Sequence, residues 1–253
     1  MDEASPILEF RRVEKRFGRV RALDGIDVAV RSGELVAVLG TPGAGTSTMV
    51  KLAAALLRPD RGVVAVLGRD LRTASRDLHA RMGFAFEEPE LDGRLTVDGH
   101  LRYRAGLMGL GSSQARAATA RALAGFGLAE RGEDRAGVLS VTSRRQLALA
   151  RAALGVPVLI AADRSADGLD DDERSSLLEP LLRLRSDDRT AILLTTAEPA
   201  VAASADRIVV LHRGRIAFDG TRAAFGAAGS GDVVAAFAAL VRSTSEETAG
   251  ARV

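Results

Sequence analysis

The chain has 253 residues, 47% hydrophobic and 27% charged, which suits one α/β domain or a core with a subdomain and a sizeable buried interior. It has no cysteine, which excludes disulfides and thiolate metal sites, and its three histidines (His79, His100, His212) are too scattered for a metal cluster. Net charge is +2, the cations are arginines apart from Lys15 and Lys51, and acids and bases alternate, so no basic stripe for nucleic acid is present.

No apolar run approaches the roughly 20 residues of a membrane helix, and Met1 to Arg12 lacks a signal-peptide core. The chain is expected to be cytoplasmic, with any membrane role exercised through a partner. Ile7–Phe10 and Ile26–Val30 read as short strands. Leu35–Leu39 is a continuous apolar strand bounded by Gly33 and Gly40, as a strand buried on both faces requires.

The next residues, Gly40 to Thr48, read G-T-P-G-A-G-T-S-T. A Gly-rich turn opening onto a helix N-terminus presents backbone N–H groups to phosphate oxygens. The pattern G-x-x-x-x-G-K-[ST] places a lysine after its last glycine to neutralise the β- and γ-phosphates. Here that position is Thr46. A helix is predicted from about Ser47 to Leu57, stopped by Pro59, and a short strand over Val63–Leu67. Strand, glycine loop and helix in succession are the context that makes the loop a phosphate cradle.

From Leu95 to Ala153 the periodicity is helical, with stretches at Ser112–Gly125 and Ser143–Leu154, which reads as an inserted helical subdomain (about 93–153). Strands resume at Val158–Ala162, ending in Asp163, and at Ala191–Thr195. Ile208–Leu211 and Arg215–Phe218 flank His212-Arg213-Gly214 as a hairpin. The alternation predicts a mainly parallel sheet. Residues 228–253 are expected to form a terminal helix and tail, frayed over Ser243–Val253.

The order of motifs resembles the nucleotide-binding subunits of ATP-binding-cassette (ABC) transporters. Five stretches carry it: K-R-F-G-R-V-R-A-L-D-G-I at Lys15–Ile26, M-G-F-A-F-E-E-P-E-L at Met82–Leu91, V-L-S-V-T-S-R-R-Q-L-A-L-A-R-A-A-L at Val138–Leu154, P-V-L-I-A-A-D-R-S-A-D-G-L-D at Pro157–Asp170, and A-D-R-I-V-V-L-H-R-G-R-I-A-F-D-G at Ala205–Gly220. The resemblance implies a P-loop NTPase core with an N-terminal antiparallel β-subdomain and an inserted helical subdomain over residues 1–227. It also implies a nucleotide site at Phe17, Gly40, Gly43, Ala44, Gly45, Thr46, Ser47 and Thr48, with Phe17 against adenine. Ser47 and Asp163 would be the magnesium ligands.

The same resemblance marks departures. Glu87 stands where the family has glutamine, and Arg164 where it has a water-orienting glutamate. Thr196 stands where it has the switch histidine. Leu139-Ser140-Val141-Thr142-Ser143 stands for L-S-G-G-Q, so Ser140 survives while Val141, Thr142 and Ser143 differ. What it implies is therefore weak ATP binding, a compromised magnesium site and impaired hydrolysis. Glu87 and Arg164 are expected to pair across the site, or Arg164 to take over the missing lysine's phosphate contact. The expected role is a scaffold or regulatory subunit of an ABC-type exporter. Its partners would be a membrane-spanning permease, met near Glu87–Leu101, and a second cassette in a homodimer or heterodimer. A slow ATPase working with an intact partner cassette, a soluble pseudo-ATPase interaction module, and a role in cluster assembly or translation remain alternatives.

Overall fold

The computed structural model describes residues 5–250 apart from 228 and 230, with side chains as far as 242. Two sheets and a set of helices make up the described residues. An antiparallel sheet is built from β1 (Leu8–Phe17), β2 (Val20–Val30), β4 (Arg61–Val66) and the short β5 (Arg69–Asp70), in the order β2-β1-β4-β5. The second sheet has six strands: β3 (Leu35–Leu39), β6 (Met82–Ala85), β7 (Leu159–Asp163), β8 (Ala191–Thr196), β9 (Arg207–His212) and β10 (Arg215–Thr221). Their order is β10-β9-β3-β8-β7-β6, parallel throughout except for the β9–β10 hairpin.

Strand β3 shows why the second sheet lies in the middle. All five of its residues are buried. Leu35, Ala37 and Leu39 join the core shared with the helical region, while Val36 and Val38 join the core under the antiparallel sheet. A strand apolar at every position belongs between two layers, because its side chains alternate between faces.

The helices are α1 (Thr46–Ala53), α2 (Arg76–Ala80), α3 (Val97–Leu107), α4 (Ser112–Gly125), α5 (Val141–Ala153), α6 (Asp171–Asp187), α7 (Pro199–Ala202), α8 (Arg222–Ala227) and α9 (Val233–Gly250). Helices α3 to α5 form the expected helical block, with α4 matching its predicted bounds. An isolated antiparallel bridge pairs Thr96 with Arg135 within this stretch. Thr96 caps α3 through Gly99 N–H and Ser140 caps α5 through Ser143 N–H.

Several boundaries differ from expectation. The first two strands are longer than predicted because they pair along their length, Leu8 with Val30 through Phe17 with Val20, and carry polar residues on an open face. The Val63–Leu67 strand begins two residues earlier, at Arg61, and ends at Val66 because Leu67 turns at φ 51°. Helix α1 ends at Ala53 and not at Leu57. Ala55 adopts φ 56°, and the N–H groups of Leu56 and Leu57 fold back onto the Lys51 carbonyl, so the helix closes on itself well before Pro59. The terminal segment expected to be frayed from Ser243 is helical to Gly250, carried on from the half-buried Val233, Phe237 and Leu240; residues 251–253 lie outside the described residues.

Candidate nucleotide site

The three parallel strands β3, β7 and β8 end together. Leu39 pairs with Thr196 and Asp163 with Thr195, so the glycine loop, Asp163 and both threonines meet at the carboxyl edge of the sheet. This is where ligands bind in open α/β sheets. The loop is folded tightly on itself and on its surroundings. Gly40 N–H donates to Thr196 O (3.0 Å), Ala44 N–H to Thr41 O (2.9 Å), and Gly214 N–H of the β9–β10 turn to Ala44 O (3.0 Å). Gly43 has φ 83° and Gly45 φ 109°, conformations that side-chain-bearing residues rarely adopt. A Cβ on Gly45 would also strike the Ala22 carbonyl. The loop leads directly into α1, whose first turn holds Thr46, Ser47 and Thr48.

Thr46 is buried, 7% exposed, with its methyl beneath Gly40. Ser47 faces outward to Asp163: Ser47 Oγ donates to Asp163 Oδ1 at 3.0 Å. The same oxygen accepts Thr195 Oγ1 at 2.6 Å, and Asp163 is itself 4% exposed. The acid therefore ends a strand with two hydroxyls on one oxygen, and it caps no helix. Phe17, expected against adenine, is 48% exposed at the end of β1 with Lys15 Nζ 5.6 Å from its ring centre, so it is not a core aromatic.

Arg164 follows Asp163 in a left-handed conformation, φ 45°. Its Nε donates to Asp167 Oδ2 at 3.0 Å and its Nη1 lies 3.6 Å from Glu87 Oε1. The expected Glu87–Arg164 pair is present, yet Asp167 is the closer partner. The Asp167 hydrogen bond, opposed by burial and helped by the Glu87 charge, holds the guanidinium above its ordinary basicity. Thr196, fully buried, donates to Asp167 Oδ1 at 2.5 Å, and Ala197 N–H donates to Asp167 Oδ2 at 2.9 Å. Arg145 of α5 reaches the Asp167 carbonyl.

Sequence reasoning passed over Asp167. Its signal was the spacing of three from Arg164 across a turn, which places a carboxylate and a guanidinium within reach. It also missed Thr195, and Glu198, whose Oε1 accepts Gly168 N–H at 2.7 Å.

At the N-terminus of α5, Ser140 Oγ donates to Ser143 Oγ and accepts Ser143 N–H, Thr142 Oγ1 donates to Glu173 Oε1 of α6 at 2.5 Å, and Val141 stands 64% exposed. These four residues have no contact with Asp163; Ser140 and Val141 are exposed, Thr142 is half-buried and Ser143 is buried. A cavity of about 530 Å³ opens beside the loop, lined by Ser47, Lys51, Glu87, Glu90, Arg151 and Asp163 among others. Its outer wall is tied to α5 through Arg151 Nη1 and the Glu90 carbonyl (3.2 Å).

A glycine loop between a buried strand and a helix, facing an acid at the end of a neighbouring strand, defines a P-loop nucleotide-binding domain. Comparison with known proteins makes this specific. The model of the ABC transporter family matches residues 23–166. An aliphatic sulfonates import ATP-binding protein of Mesorhizobium japonicum is 38% identical over 83% of this chain and 77% of its own length. A macrolide export ATP-binding/permease protein of Hyphomonas neptunium is 33% identical over 85% of this chain, which spans only 34% of that protein. Among solved structures, an ATP-binding subunit of an ABC transporter superposes with a TM-score of 0.81 at 26% identity, over 93% of this chain and 99% of that one. The chain belongs to the ABC transporter family and is an ATP-binding cassette. No described helix is long and apolar enough to cross a membrane.

Proposed function

We propose that this cassette is a regulatory or scaffold subunit of an ABC-type exporter, one that holds nucleotide and hydrolyses it poorly or not at all. The observation that carries the reading is Arg164. It occupies the residue after Asp163 and is tethered to Asp167 and Glu87. A guanidinium stays protonated at any working pH and cannot take a proton from an attacking water. Other features act in the same direction. Thr46 brings no charge to the phosphate loop, the Thr196 hydroxyl is spent on Asp167, and Val141 offers a branched apolar side chain where close backbone approach would need glycine. Groups that act as a unit in phosphoryl transfer leave little turnover when several are replaced.

The family implies magnesium, with Ser47 and Asp163 as its ligands. The donor set here suits it poorly: Asp163 Oδ1 is already shared by two hydroxyls, and the Arg164 guanidinium acts on the same carboxylate as a neighbouring positive charge.

Lacking a described membrane-spanning helix, the subunit would work at the inner face of the membrane through a permease docked near Glu87–Leu101, beside a second cassette. Relatives named for import and for export match similar shares of this chain, 83% and 85%. The test is phosphate release from magnesium-ATP by the purified chain, and by the chain co-expressed with any membrane protein that a neighbouring reading frame encodes. Background turnover with co-purification of the membrane protein is expected. Turnover that Asp163→Asn abolishes would establish the slow-ATPase alternative, which the retained Ser47–Asp163 contact favours. Absence of any membrane partner would favour a soluble interaction module.

A further inference from the structure

Resting on the reading that the Gly40–Thr48 loop receives a nucleoside triphosphate, we propose that Arg164 is the cation for its terminal phosphate and that the chain binds nucleotide without magnesium. The loop itself has no cation to offer. Thr46 is neutral and buried, and the next basic residue of α1, Lys51, is five positions further on, roughly 7 Å along the helix axis, where it lines the cavity together with Arg151.

Arg164 is placed to fill the gap. Its Nε is fixed on Asp167, which in turn is held by Thr196, Ala197 and Arg164 and is 5% exposed. Its two Nη groups make no hydrogen bond among the described residues; Nη1 has only the 3.6 Å contact with Glu87, too long to be one. The guanidinium is thus anchored at one nitrogen and has its fork unspent, with 27% of the side chain exposed. That fork matches two phosphate oxygens, and a charge-assisted pair of this kind is stronger than a neutral hydrogen bond.

Glu87 lines the same cavity as Ser47 and Asp163, and the Nη edge lies directly behind it, 3.6 Å from Glu87 Oε1. Its carboxylate is 42% exposed, so water readily takes over its hydration once a phosphate displaces it. In this arrangement the hydroxyls of Ser47 and Thr195 both occupy Asp163 Oδ1, and the neighbouring Arg164 charge acts on the same carboxylate. A divalent ion brought beside Asp163 would instead meet the Arg164 cation.

The experiment is calorimetric titration of the full chain with ATP in excess EDTA and again with magnesium, on the wild type, Arg164→Gln, Arg164→Lys and Glu87→Gln, each checked for fold by circular dichroism. Wild type is expected to bind at least as tightly in EDTA as in magnesium. Arg164→Gln should weaken binding in EDTA about tenfold or more, Arg164→Lys should recover part of it, and Glu87→Gln should tighten it by freeing the fork. Binding that needs magnesium, or an Arg164→Gln protein that binds ATP in EDTA like wild type, overturns the inference. Magnesium-dependent binding without phosphate release would overturn it while leaving the proposed function standing. No binding in either buffer would remove this inference together with the nucleotide-holding part of that function.

Discussion

Arg164 and Asp167, three residues apart, are joined by a 3.0 Å hydrogen bond from Nε to Oδ2, and the carboxylate at the centre of this contact is almost wholly buried. Asp167 also accepts from Thr196 and from Ala197 N–H, so the end of β7 and the end of β8 are stitched together through one side chain. The loop that follows is held as firmly. Gly168 N–H is taken by Glu198, the Leu169 carbonyl by Arg174, and Asp170 caps α6 by accepting Glu173 N–H.

Removing Asp167 therefore strands several partners at once. Asp167→Ala is expected to destabilise the chain by about 3 kcal/mol, since a partly exposed cation, a buried hydroxyl and a backbone donor lose their acceptor together. Arg164→Gln, on a partly exposed side chain that leaves Asp167 two neutral donors, should cost only about 1 kcal/mol. Urea denaturation of both variants checks the ranking, and equal losses would show that Asp167 is not the centre of the network.

The two loop glycines should respond very differently to a methyl group. At Gly43 a Cβ would have no atom within 4 Å, so Gly43→Ala carries only the left-handed backbone penalty, roughly 1–2 kcal/mol. At Gly45 the same methyl meets the Ala22 carbonyl of β2 at a still less favourable φ of 109°. Gly45→Ala should cost at least about 3 kcal/mol or displace the loop, and ATP binding should fall with it. Thermal melts and nucleotide titration of the pair decide this; similar behaviour would mean that the loop does not rest on β2.

Acid should weaken the fold through its histidines. His100 is 5% exposed, and its Nε2–H donates to the Asp92 carbonyl at 3.0 Å. Burial pushes its pKa below the ordinary 6.5, aided by the Arg151 charge and opposed by Asp92. His212 is lowered in the same way, by burial and then by Arg213. Both groups bind fewer protons folded than unfolded, so their contribution is complete above the unfolded pKa and is lost as pH falls through it toward the lowered native value. The melting temperature should drop between about pH 7.5 and 5.5, and the drop should be smaller in His100→Gln. An unchanged slope in that variant would remove His100 from the account.

Much of the scaffold is legible in the amino-acid order. Leu35–Leu39, apolar at every position, could only be an interior strand, and its contacts with two cores bear this out. Ser112–Gly125 announces its helix by spacing. The end of α1 is not legible, because Ala55 carries no local signal for the left-handed turn it adopts and Pro59 offers a more obvious stop. The lengths of β1 and β2 are hidden for a related reason: their outer halves are polar on one face and owe their strand conformation to each other.

Periodicity and glycine placement are local properties of a chain. The succession of elements, the phosphate loop, and the residue types standing at the positions of a family chemistry can therefore be read from the amino acids alone. Which of those residues act on one another is settled by the folded arrangement. Asp163 meets Ser47 across 116 positions of sequence, and Asp167 rather than Glu87 holds Arg164 closest. Such partnerships arise where three parallel strands end side by side, and a hydrogen bond depends on distance and direction in space, which the spacing of residues along the chain does not encode.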